Sequence, residues 1–203
     1  MKKIEELISQ PVIDFIALAQ KYCRVIESAE SMSLKDMQMM LVKLLPRIYI
    51  RIMNLPEIND TYSPDAEKYF AEKEYKKVSQ LLISFFGESD FFAEITEDKL
   101  VNKKILVRSR ISESLTDIYQ DLTDFLRWYK YEDIESKNDA LAELQRSFRT
   151  IWGEKLLFVM IALHSILFMN KKPDNLRIAS EEDDDQHFDP SEMDGFSEDT
   201  GDR

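Results

Sequence analysis

A chain of 203 residues, 44% of them hydrophobic, is long enough for one substantial core and a terminal extension. Four glycines and six prolines are too few for a sandwich or barrel built on tight turns, and the single cysteine, Cys23, excludes an internal disulfide. A net charge of −12 argues against the broad basic face that nucleic acid or an anionic membrane requires.

The apolar residues recur with helical spacing. The first helix is expected over 11–28, started by Ser9 and Pro11, with Val12, Phe15, Ile16, Ala19, Tyr22, Cys23 and Ile26 on one face. A second runs over 34–54. Ser33 is its cap, with Asp36 three residues on, and Leu34, Met37, Leu41, Leu44, Ile48, Ile52 and Leu55 form its stripe. Pro46 lies inside this helix and Pro56 ends it. Residues 57–70 read as a polar connection holding Ser63-Pro64-Asp65. A third helix then runs to Phe86 and stops at Gly87. Residues 88–108 are the least regular stretch, with Phe91 and Phe92 expected in the core because paired exposed phenylalanines are costly. A fourth helix spans 110–131 on the seam Ile111, Leu115, Ile118, Leu122, Leu126 and Tyr129. A fifth spans 138–169, and its second half is apolar nearly all round, as expected of a central helix.

The run Leu156–Met169 is 14 residues long and contains His164 and Ser165. A membrane span needs about 20 apolar residues, so it reads as a core helix with no membrane role. From 171 onward twelve acidic residues face four basic ones, a balance of −8, and the sequence Glu181-Glu182-Asp183-Asp184-Asp185 cannot bury enough apolar surface to offset its ordering entropy. The organisation read is a helical domain, 1–170, and a disordered acidic tail, 171–203. A lone thiol and an N-terminus without an apolar signal core point to the cytoplasm.

Chemical signatures are sparse. Glu27-x-x-Glu30 and Glu57-x-x-Asp60 resemble the paired carboxylates of all-α nucleotide pyrophosphohydrolases, but the second helix holds the pairs about 30 Å apart, too far to share a metal ion. Glu113, Asp117, Asp121 and Asp124 lie opposite the seam of the fourth helix and read as its wet face. There is no Glu-x-x-His, zinc spacing or phosphate-binding glycine loop, and Asp194-Gly195 fails as a calcium loop because Pro190 and Gly201 fall where carboxylates are needed. No cofactor is expected. Cys23 reads as a packed thiol, and Met37 and Met40 as core filling. His164 is expected to be buried, where it would serve as a base beside Ser165 or a tyrosine only if other groups joined it. Arg47 and Arg51, one turn apart, suit an ion pair or an anion.

Tyr22-Cys23-Arg24-Val25-Ile26-Glu27, Leu44-Leu45-Pro46-Arg47-Ile48-Tyr49 with Leu55-Pro56, Asp117-Ile118-Tyr119-Gln120-Asp121-Leu122, and Phe148…Trp152-Gly153…Ala162-Leu163-His164 occur in an order and spacing that resembles the bacterial family catalogued as domain of unknown function 5063. The resemblance covers 11–169 and implies a helical cytoplasmic protein, with no activity or catalytic residues attached.

The expectation is an all-α protein, a single bundle of about five helices with a disordered acidic tail, acting without catalysis as an interaction module. Phe188, Met193 and Phe196 in the tail would dock into a basic, apolar-lined groove of a partner protein. The alternative is a small-molecule enzyme or sensor with a pocket between helices formed by His164, Tyr119 and Trp152, with Arg47 and Arg51 as anion ligands. The sequence leaves the oligomeric state open.

Overall fold

A computed structural model of the chain describes residues 7–58, 70–98, 103–130 and 133–169. The acidic tail, with Phe188, Met193 and Phe196, lies outside them, as do Asp60 and Ser63-Pro64-Asp65. Five helices carry the fold: α1 (Gln10–Glu27), α2 (Leu34–Met53), α3 (Glu72–Phe86), α4 (Ile111–Tyr129) and α5 (Ile134–Phe168).

The helix ends follow local chemistry. Pro11 sits in the first turn of α1, where its missing N–H leaves nothing unpaired. The Ser33 hydroxyl accepts the Asp36 backbone N–H at 3.1 Å and donates to the Asp36 carboxylate at 2.6 Å, which starts α2 as its sequence indicates. Pro46 is accommodated within α2. Gly87, at φ 53°, takes the left-handed backbone that ends α3. Asp133 caps α5 by accepting from the Ser136 N–H at 2.6 Å.

Residues 91–110, expected to be irregular as far as 108, form an antiparallel hairpin, β1 (Phe91–Asp98) and β2 (Lys103–Arg110), in register from Phe91 opposite Arg110 to Asp98 opposite Lys103. No Asn-Gly or Gly-containing pair lies between the strands in the sequence, so the usual hairpin signal is missing. Only one of the two phenylalanines reaches the core. Phe92 is buried beside Phe158, ring centroids 6.5 Å apart, whereas Phe91 lies under the guanidinium groups of Arg108 and Arg110 at 3.8 and 4.2 Å. Between α3 and β1, Asp90 is fully buried and accepts from the Ser112 N–H at 2.7 Å, the Ser112 hydroxyl at 2.7 Å and Arg110 Nη1 at 3.0 Å. A carboxylate thus serves the N-terminus of α4, whose own cap residue, Arg110, has no acceptor to offer.

The central helix is α4, not α5. It packs against α1, α3 and both ends of α5, and buries Ile111, Leu115, Ile118, Leu122 and Phe125. The last part of α5 packs on α2 and α4 by one side only. Apolar composition all round marks a helix that water serves poorly; it does not say how many neighbours cover it. Met37 is buried in α2 as expected, but Met40 is on the exposed side.

Within α5, a π-helical turn, Phe148–Trp152, joins two α-helical segments. It ends on Gly153, where a Cβ would stand 2.4 Å from the Phe148 carbonyl oxygen and 2.9 Å from its ring. Alanine is intrinsically the better helix former by about 1 kcal/mol, yet Gly153→Ala is expected to destabilise the protein by about 1–3 kcal/mol through this overlap. The check is urea unfolding: the midpoint falls with the slope unchanged.

Candidate binding surfaces

The residues expected to share a pocket are not gathered into one. Trp152 is fully buried, edge-on to Phe148 at 4.8 Å, and its indole N–H finds no acceptor among the described residues. Tyr119 faces α1, where its hydroxyl donates to the Glu27 carboxylate at 2.8 Å. His164, expected in the core, is exposed on α5, its ring 5.1 Å from that of Phe168. The Ser165 hydroxyl donates to the Ile161 carbonyl at 3.0 Å and so gives His164 no nucleophile to activate. The reason is phase: the side of α5 that meets the core carries Leu156, Val159, Ala162 and Leu163, and His164 falls outside that arc.

The acidic residues of α4 are also placed differently from expectation. Asp117 accepts from the Tyr75 hydroxyl at 2.7 Å and pairs with Lys155, and Asp121 accepts from the Ser147 hydroxyl at 3.0 Å. These two carboxylates form joints between helices; Glu113 alone of the set is fully solvent-facing. Burial, and then the Asp117 carboxylate, push the Tyr75 hydroxyl well above its ordinary pKa. Of the paired carboxylate motifs, Glu27 is held by Tyr119 and Glu57 lies 3.7 Å from Arg149. Among the described residues no group of His, Cys, Asp and Glu side chains is arranged to hold a metal ion.

Two concavities among the described residues bear on these groups. A cleft of about 300 Å³ is lined by Tyr119, Glu27, Phe70, Glu74, Lys77 and Arg127, among others. Its polar groups largely serve one another. Arg127 donates to both Glu74 oxygens at 3.1 Å, which holds the Glu74 carboxyl below its usual range, and Tyr119 is bonded to Glu27. The second is an open groove of about 530 Å³ between the antiparallel α1 and α2, floored by Ala17, Leu18 and Ile50 and edged by Lys21, Arg47 and Arg51. Arg51 lies 3.4 Å from Asp14, the interhelical pair its position suggests, while Arg47 has no ionic partner among the described residues.

Among the described residues, the outer side of α5 is an exposed apolar surface. By length and composition α5 is long and apolar enough to cross a membrane, with an 18-residue window of mean hydropathy 1.6, yet only 33% of that window is buried. Leu157, Ile161 and Phe168 are 42%, 63% and 60% exposed, with Glu154 and His164 on the same side. The apolar run was plain in the sequence, but its uncovered side was not.

The family model for a domain of unknown function (DUF5063) matches residues 6–169. The chain is also similar to the crystal structure of protein BF1032 from Bacteroides fragilis, at 32% identity and a TM-score of 0.69, over 82% of this chain and 98% of that one. Among curated proteins none matches.

Cys23 is the packed thiol its position in α1 suggests, 3.6 Å from the Thr123 hydroxyl, and burial pushes its pKa up to about 11. Two outcomes follow. In the native protein near neutral pH, a thiol reagent should react with Cys23 roughly a hundredfold more slowly than in the unfolded chain. Because the folded pKa is raised from 9.0, the thiol's contribution to stability is complete below pH 9.0 and is lost as pH climbs towards about 11. Reagent kinetics with and without denaturant, and unfolding midpoints across that interval, check both.

Proposed function

This chain belongs to the DUF5063 family, and we propose that it works as a non-enzymatic protein-interaction module whose helical bundle presents the outer side of α5 to a partner's amphipathic helix. The observation that carries this reading is the row of exposed large hydrophobic side chains, Leu157, Ile161 and Phe168, in a helix whose other side is built into the core. Water-exposed rows of this kind on a folded domain are where partners bind. Their spacing of four and seven residues keeps them on one ridge that a second helix can meet.

An enzyme or small-molecule sensor is less well supported. Such a site needs unpaired polar groups converging on a concavity. In the Tyr119 cleft, Tyr119 and Glu27, and likewise Arg127 and Glu74, are bonded to each other. The acidic tail is a second recruiting element in this proposal. Phe188, Met193 and Phe196 would hold a basic partner that the tail's charge draws in. The lone thiol Cys23 supports a reducing compartment, the cytoplasm, as the place of work.

Replacing Leu157 and Ile161 together by serine should leave the unfolding temperature within a few degrees of the parent, since both side chains are exposed. The same variant should lose a partner that the parent captures. The partner, once identified and purified, should bind the variant at least about tenfold more weakly in a direct titration. Equal affinity for the two proteins would remove the α5 surface from the proposal.

A further inference from the structure

The outer side of α5 has an apolar centre flanked by an acid on one side and a histidine on the other. Its exposed positions, Glu154, Leu157, Ile161, His164 and Phe168, are spaced by three, four, three and four residues, the spacing of a seam between two packed helices. The midpoint lies between Leu157 and Ile161. An antiparallel copy of the same helix, centred there, sets Leu157 against Ile161 and Glu154 against His164, and does so twice, once on each side of the axis. Phe168 then falls at the Ile151 end of the other copy, where Ile151 is 42% exposed.

We propose that the partner of this surface is a second copy of the chain, bound by α5 against α5 in an antiparallel, two-fold arrangement. The proposal rests on the reading of α5 as a docking face and names its occupant. The charged positions distinguish a second copy from an arbitrary apolar partner. Among the described residues neither Glu154 nor His164 has a hydrogen bond or ion pair, and the His164 ring contacts that of Phe168. Within one chain these two residues are ten apart, about 15 Å along the axis, and cannot meet. Across a two-fold axis they do, and an imidazole N–H, neutral or protonated, can donate to a carboxylate. A two-fold interface must be complementary to itself, and an acid and a histidine placed symmetrically about an apolar centre meet that condition.

A lipid bilayer suits the face less well. The inward side, at Leu156, Val159, Ala162 and Leu163, is occupied by the domain, Glu154 and His164 interrupt the outer side, and residues 1–170 carry a net negative charge that anionic headgroups repel. The seam from Glu154 to Phe168 is about 21 Å long. A single helix pair of that length is a small contact beside a standard interface of roughly 800 Å² per partner, so the proposed dimer would dissociate on dilution.

Sedimentation velocity of the full chain across a wide concentration range tests this. The expected result is a monomer–dimer equilibrium that Ile161→Glu weakens at least about tenfold without lowering the unfolding temperature. Glu154→Lys and His164→Glu should each weaken the dimer, and the double variant carrying both should recover it, since lysine and glutamate then face each other in the same register. Four results would overturn the proposal: a parent protein monomeric at every concentration; a dimer indifferent to Ile161→Glu; single charge variants that weaken the dimer with no recovery in the double variant; or a monomer that instead floats with phosphatidylcholine vesicles through Ile161. A monomer that still loses a heterologous partner in the Leu157/Ile161 variant would sink self-association and leave the interaction module standing.

Discussion

A helix with neighbours on three sides has little water to offer its own polar groups, and that constraint on α4 organises the rest of the bundle. Its carboxylates must be met by donors from other elements. Asp117 is met by Tyr75 of α3 and Lys155 of α5, and Asp121 by Ser147 of α5. Its Tyr119 reaches Glu27 of α1, and its Leu115 carbonyl accepts from the fully buried Tyr22 hydroxyl at 2.8 Å. Each of these bonds fixes the height and rotation of a neighbouring helix against α4. Apolar burial alone would allow the helices to slide, because Leu, Ile and Phe pack acceptably at several offsets, while a buried hydroxyl or carboxylate is satisfied at very few. Asp90 does the same for the chain entering α4: three donors converge on one carboxylate and set where the hairpin ends and the helix begins.

What the sequence made legible is what local spacing encodes. The five helices, the Ser33–Asp36 cap, the Gly87 stop and the buried stripe of α1 all follow from relations within one or two turns. Three features could not be read that way. The hairpin lacked a turn signature, so its β-branched and aromatic residues had no punctuation to frame them. The Asp117 and Asp121 joints join residues 26 to 42 positions apart, and helical phase alone made these carboxylates look like a solvated face. The surroundings of α5 depended on where the other helices end. Composition shows that His164 sits among apolar residues, but not that those neighbours point outward with it.

The exposed row on α5 and the strong negative charge have opposite effects on encounters between copies. Apolar side chains such as Ile161 and Phe168 favour indiscriminate association, and a net charge of −12 opposes it at long range. On the proposed reading, a partner that matches the row closely would hold on at contact distance, where dispersion and burial outweigh screened repulsion. The two effects together would then make a sticky surface selective.

The bonds that tie α1 and the residues just before it to α4 span much of the chain. Tyr22 reaches Leu115 across 93 residues, Cys23 reaches Thr123 across 100, and Tyr129 donates to the Leu7 carbonyl across 122. During synthesis α1 and α2 leave the ribosome well before the helix that covers them, with Phe15, Tyr22 and Ile26 still lacking their cover. At about 5–20 residues per second, the wait for α4 lasts several seconds. For that interval the N-terminal helix pair is a nascent chain with an open apolar face, the kind of surface chaperones shield, until the helix at the centre of the fold arrives.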